Sequence, residues 1–113
     1  MKISANYWMF EGGLDATLPV AEAMGQAKEL GFDAIELCVA STGALTHKTT
    51  QAQCSAIVAQ ANDIGLEIAS VANGESWGSS PTDDDPAVRS KIIEFTKEAL
   101  QVTQWLGTDV CLY

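Results

Sequence analysis

Leu30-Gly31-Phe32-Asp33 leads directly into the mostly apolar run Ala34-Ile35-Glu36-Leu37-Cys38-Val39. The same syntax returns twice: Ile64-Gly65-Leu66-Glu67 runs into Ile68-Ala69-Ser70-Val71-Ala72, and Leu106-Gly107-Thr108-Asp109 runs into Val110-Cys111-Leu112-Tyr113. Each copy reads as a helix ending on Leu or Ile, a glycine taking the left-handed turn, one further residue, an acid, and a short strand. A helix–glycine–strand unit with a period of roughly 35–40 residues describes stacked βα units. The third copy reaches the last residue, Tyr113, while still inside its strand. The expectation is a chain spanning the first part of a larger barrel.

Working outward, strand 1 is expected from Lys2 to about Met9, followed by loop 1, Phe10-Glu11-Gly12-Gly13-Leu14-Asp15. Gly12-Gly13 lacks a phosphate-loop context and reads as a plain turn. Helix 1 is expected to begin near Thr17-Leu18-Pro19, with a hydroxyl cap and an early proline, and to carry a stripe of Val20, Met24, Ala27 and Leu30. Strand 2 covers Ala34 to about Val39, and the Ser/Thr/Gly-rich loop 2 runs from Ala40 to Lys48. Helix 2 begins at Thr49 or Thr50, with Cys54, Ile57, Val58, Ala61 and Ile64 at helical spacing. Strand 3 runs from Glu67 to about Ala72, and the long loop 3 from Asn73 to Asp84. Helix 3 has the clearest start, Asp85 as cap and Pro86 in the first turn, and then Val88, Ile92, Phe95, Ala99, Val102 and Leu106 along one face. Strand 4 is expected over Asp109 to Tyr113.

The order is βαβαβαβ, which predicts an α/β fold with a parallel sheet and right-handed crossovers, the first half of a (β/α)8 TIM barrel occupying residues 1–113 as one domain. Strands 2 and 4 are nearly continuous apolar runs, as expected of strands covered on both faces. The αβ turns are tight, whereas the βα loops are long and rich in polar and aromatic residues. In parallel α/β folds function sits at the carboxyl ends of the strands, so the long loops mark the working face.

Composition narrows the function classes. The chain has 113 residues, an apolar fraction of 47% and a formal charge of −9, with only six Lys and Arg. A nucleic-acid partner needs a basic surface to neutralise phosphates, and this balance argues against one. No run of about 18 apolar residues is present, so no membrane span is expected. The segment Met1-Lys2-Ile3-Ser4-Ala5-Asn6-Tyr7 lacks the pattern of a signal peptide. Cys38, Cys54 and Cys111 are odd in number and widely spaced, which reads as reduced small hydrophobes and a cytoplasmic location. With one histidine and no close cysteine pair, a zinc site is not expected.

Several side chains are candidates for chemistry. Glu36 is an acid within an apolar strand, either paired with Lys2 or a helix lysine, or pointing into the barrel mouth. Tyr7 and Trp8 close strand 1, and alternation directs one of them toward the barrel axis. Aromatic walls receive the apolar face of a sugar, although core packing accounts for either ring alone. In Asn73-Gly74-Glu75-Ser76-Trp77-Gly78 the tryptophan lies between glycines, as a lid over a ligand or as a ring resting on its own loop. His47 reads as a solvated loop residue. Asp83-Asp84-Asp85 reads as helix capping rather than a cation site.

With those residues in view, the chain resembles the N-terminal part of the xylose-isomerase-like barrels, the sugar-phosphate isomerase/epimerase superfamily. The matching stretches are Lys2-Ile3-Ser4-Ala5-Asn6-Tyr7-Trp8, Leu30-Gly31-Phe32-Asp33-Ala34-Ile35-Glu36-Leu37, Ser79-Ser80-Pro81 with Asp85-Pro86-Ala87-Val88-Arg89, and Leu106-Gly107-Thr108-Asp109-Val110. Tyr7-Trp8 and the Ser-Pro…Asp-Pro-x-x-Arg pattern are most similar to ketose 3-epimerases and hexulose-phosphate isomerases. The superfamily also holds hydroxypyruvate isomerases, inosose dehydratases and apurinic endonucleases, the last disfavoured by the acidic charge.

The resemblance implies a (β/α)8 barrel of roughly 250 residues or more. It also implies a divalent metal, Mn, Mg or Co, held by Glu, Asp, His and Glu on later strands, and proton transfer next to a ketose carbonyl. None of those ligands maps onto this sequence, so no catalytic and no metal-binding residue is expected in it. Tyr7, Trp8, Glu36, Asn73 and Trp77 carry over as a substrate-facing wall. The implied partner is a small sugar or sugar phosphate, and a homo-oligomer is expected. The alternatives are a non-enzymatic half-barrel that self-associates or binds a small ligand, and a complete flavodoxin-like domain.

Overall fold

The three glycine turns form as their sequence dictates. Gly31, Gly65 and Gly107 stand at φ of 86°, 67° and 82°, where a Cβ would be strained. The residue after the first two glycines folds back onto its helix: the Phe32 N–H donates to the Ala27 carbonyl at 3.0 Å and the Leu66 N–H to the Ala61 carbonyl at 2.9 Å. These bonds satisfy helix-end carbonyls and aim the chain at the next strand.

The computed structural model describes residues 1–113. The strands are β1 (Ser4–Asn6), β2 (Ala34–Val39), β3 (Glu67–Asn73) and β4 (Cys111–Leu112), and the helices are α1 (Val20–Glu29), α2 (Gln51–Asp63) and α3 (Pro86–Trp105). All strand pairs are parallel and the sheet order is β1-β2-β3-β4. Each strand therefore lies beside its predecessor, the order of the first four strands of a TIM barrel. A flavodoxin-like sheet reverses its order at a switch point, which this sheet does not.

The core lies between the sheet and the helices. Ile35, Leu37, Val39 and Val71 are fully buried, and against them pack Ala23, Met24 and Ala27 of α1, Cys54 and Ala61 of α2, and Ile92, Ala99 and Val102 of α3. Alternation leaves Ala34, Glu36 and Cys38 on the opposite face of β2. That face, at the carboxyl ends of the strands, carries the site described below.

Helix starts follow two of the three expected patterns. Thr50 and Gln53 form a reciprocal capping box at α2, and Asp85 Oδ1 accepts from the Ala87 N–H at 2.8 Å at α3. Such a cap is worth about 1 kcal/mol. The hydroxyl cap expected for α1 is absent: Pro19 occupies the cap position, and Thr17 Oγ1 donates instead to the Gly12 carbonyl.

Three expectations about elements need correction. β1 ends at Asn6, and Tyr7–Met9 form a 3-10 turn instead of extending the strand. The cause is local: Asn6 Oδ1 accepts from the Trp8 N–H at 2.7 Å, capping the turn. β4 is two residues long and lies at the sheet edge, where Val110, Leu112 and Tyr113 are exposed, so it is not covered on both faces. Leu30 and Ile64 sit at helix C-caps rather than on the buried stripes, and both are exposed. The bulge in the β2–β3 pairing at Ile35/Glu36 leaves Glu36 opposite Ser70.

Candidate functional site

Beyond the ends of β1, β2 and β3 lies a cleft of about 510 Å³. Its walls are Trp8, Leu14, Asp15, Ala16, Cys38, Ala40, Thr42, Gly74, Glu75 and Trp77. Trp8 follows β1, Cys38 and Ala40 end β2, and Gly74, Glu75 and Trp77 follow β3. The working face chosen by loop length is therefore the one that holds the cleft.

Trp8 is positioned from below by a row of hydrogen bonds across three strands. The register aligns Asn6, Glu36 and Ser70. Asn6 Nδ2 donates to Glu36 Oε1 at 2.5 Å, and Ser70 Oγ donates to Glu36 Oε2 at 2.6 Å. Asn6 uses its other terminus to hold the Trp8 amide. Glu36 thus makes no ion pair with Lys2, whose partner is Glu67. The Glu36 carboxylate serves this network beneath the cleft and is not part of the cleft lining.

Tyr7 and Asn73 do not face the cleft. Tyr7 is buried, and its hydroxyl donates to the Leu18 carbonyl at 2.6 Å, tying loop 1 to the start of α1. The 3-10 turn sends this ring into the core and Trp8 to the cleft. Asn73 is also buried, with Nδ2 donating to Thr96 Oγ1 of α3 at 3.3 Å and Oδ1 accepting from the Glu75 N–H at 2.9 Å. It shapes the Gly74-Glu75 turn from behind. Of the five wall candidates, the structure brings Trp8 and Trp77 together at the cleft, places Glu36 below it, and turns Tyr7 and Asn73 inward.

The cleft residues not anticipated are chiefly Asp15, Cys38 and Glu75. Glu75 Oε1 accepts from the Ser41 N–H at 2.9 Å, fastening loop 3 to loop 2. Cys38 was legible as an inner-face residue from the alternation of β2, two positions beyond Glu36. Asp15 and Glu75 carried no such signal, because their placement depends on loop conformation. Gly74 closes the floor: a Cβ there would stand 3.1 Å from Cys38 Sγ and 3.3 Å from the Val39 carbonyl oxygen.

Burial pushes the Cys38 thiol up to about 11 from its ordinary 9.0, and the Glu36 and Glu75 carboxylates add to the shift. The native thiol is therefore protonated and a poor nucleophile. Cys54 is buried on α2, while Cys111 is partly exposed. A thiol reagent at pH 8 is expected to modify Cys111 in the native protein and the other two only after unfolding. The fold keeps the Cys38 proton to higher pH than the unfolded chain does. Its stabilising contribution is complete below the ordinary 9.0 and is lost as pH rises through about 11. The melting temperature should fall across that window, and Cys38→Ala should make the fall shallower.

His47 is more engaged than a solvated loop residue. Its ring centroid lies 4.8 Å from that of Phe95, and Nε2 is 3.6 Å from Glu98 Oε2. Lys48 Nζ donates to Glu98 Oε1 at 2.5 Å, and this bond holds the Glu98 carboxyl below its ordinary range. Together they pin the end of loop 2 to α3, away from the cleft.

A sequence model of the family described as xylose isomerase-like TIM barrel matches residues 24–113. No curated protein matches the chain. No helix is long and apolar enough to cross a membrane.

Proposed function

The chain belongs to the xylose isomerase-like TIM barrel family, and on that premise we propose that its cleft is the sugar-facing wall of a sugar isomerase or epimerase. The observation that carries this reading is the pair Trp8 and Trp77 at one cleft with Asp15 and Glu75 beside them. Indole rings pack against the C–H face of a sugar, and carboxylate oxygens accept from its hydroxyls. The cleft also lies where parallel α/β folds hold their ligands. The reaction proposed for such a site is proton transfer at the carbon next to a ketose carbonyl. Binding and orienting the sugar is the part of it that these residues supply.

The resemblance brings a divalent metal with it, and the side chains present do not fit one. No three of the His, Cys, Asp and Glu residues converge on one point. No metal-dependent step falls to them.

The test is titration of the 113-residue chain with D-fructose, followed by tryptophan fluorescence and amide chemical shifts. Shifts are expected at Thr42, Gly74 and Glu75, without turnover when manganese is added. Trp8→Ala should weaken binding by about threefold to tenfold, the size of one lost aromatic contact. Unmoved cleft amides at saturating sugar, or undiminished binding by Trp8→Ala, would refute the proposal.

A further inference from the structure

The charges around this cleft discriminate between two kinds of sugar. We infer that the part of the ligand seated here is an uncharged polyol, not a phosphorylated end. The inference rests on the sugar-site reading above and extends it to substrate class.

A phosphate is ordinarily held by Lys or Arg, by the N-terminus of a helix, or by free backbone amides. The cleft offers neither a cationic side chain nor a helix N-terminus. Its charged side chains are Asp15 and Glu75, both acidic, and no lysine or arginine lines it. The basic residues are engaged or placed elsewhere: Lys2 with Glu67, Lys28 with the Gly65 carbonyl, Lys48 with Glu98, Lys97 with Glu94. Arg89 donates to the carbonyls of Asp83 and Asp84, and Lys91 lines not the cleft but a neighbouring pocket, on the far side of Glu75.

Several amides at the floor of the cleft are also taken. The Gly74 N–H donates to the Val39 carbonyl at 2.9 Å, Glu75 N–H to Asn73 Oδ1 at 2.9 Å, and Ala40 N–H to the Leu45 carbonyl at 3.1 Å. The Ser41 N–H is held by Glu75 itself at 2.9 Å. The N-termini of α2 and α3 are closed by their own caps, Thr50 and Asp85.

What remains is complementary to hydroxyl groups. Glu75 uses Oε1 on Ser41, which leaves Oε2 to accept from the ligand. Asp15 adds acceptors, and the two indoles add apolar faces. A ketose presents O–H donors and C–H faces together. A phosphate dianion on the same wall meets two carboxylates and no compensating cation.

The experiment compares D-fructose with D-fructose 6-phosphate on the 113-residue chain at low ionic strength, read by amide shifts at Thr42, Gly74 and Glu75. D-fructose 6-phosphate is expected to bind at least about tenfold more weakly. The gap should shrink with added salt and in the double variant Asp15→Asn with Glu75→Gln, which keeps the hydrogen-bonding shape while removing both charges. Equal or tighter binding of the phosphate at these amides overturns the inference and leaves the sugar site standing. A gap unchanged by the charge-removing variant also overturns it, because the discrimination would then have another origin. Failure of both sugars to move these amides removes the site and the inference together.

Discussion

Gly13→Ala is expected to lower the melting temperature by about 12 °C or more, or to prevent folding. A Cβ at Gly13 would stand 2.2 Å from the Tyr7 carbonyl oxygen and 2.9 Å from that of Phe10. Both obstacles are backbone, so no side-chain rotation relieves them. The turn must open, breaking the bond from the Gly13 N–H to the Phe10 carbonyl at 2.9 Å and displacing the 3-10 turn that carries Trp8. Strain of this kind is worth about 3 kcal/mol, and for a domain of this size 1 kcal/mol corresponds to about 4 °C. Thermal melting checks the first effect, and the fluorescence response to D-fructose checks the second. A variant that melts within about 2 °C of the parent would show that loop 1 is not clamped as described.

Leu37→Ala is expected to destabilise by about 3 kcal/mol, again roughly 12 °C in melting temperature. Leu37 is fully buried on β2, which is paired on both sides. Cutting its isobutyl group back to a methyl leaves a hole between the sheet and the helices that a paired central strand cannot move to fill. Denaturant unfolding should show a lower midpoint with an unchanged slope, as expected when contacts are lost and the extent of unfolding stays the same. The same truncation at Leu112, which is exposed on β4, should shift the midpoint little. Equal costs at the two positions would contradict the assignment of the core to one side of β2.

These two positions also mark what the sequence revealed. Leu37 lies in a run whose strand character, burial and neighbours follow from periodicity and the glycine turn before it. Gly13 lies in a segment read as a plain turn, although its constraint comes from Tyr7 and Phe10 folding over it. Repeats, caps and stripes are local patterns, so the helix–glycine–strand units are legible in the sequence, while the length and exposure of β4 are not. The failures occurred where a side chain intervened. Asn6 capped a turn that ended β1 early, Pro19 displaced Thr17 as the start of α1, and Leu30 rotated off its stripe at a C-cap. The same logic applies to the cleft. Trp8 and Trp77 stood out by residue type. Tyr7 and Asn73 were of the right type but are turned inward by bonds to Leu18 and Thr96. Glu75 went unnoticed because its role depends on Ser41, 34 positions away in sequence.

The row Ser70–Glu36–Asn6–Trp8 gives the aromatic wall a remote adjustment. The indole is set at one end, while the other end is a small hydroxyl on a different strand that lies outside the cleft lining. Ser70→Ala is expected to free one carboxylate oxygen, loosen Asn6 and shift the Trp8 fluorescence with every cleft residue unchanged. The setting of Trp8 in the cleft is therefore open to adjustment from the middle of β3, at a position that a survey of cleft-lining residues would pass over.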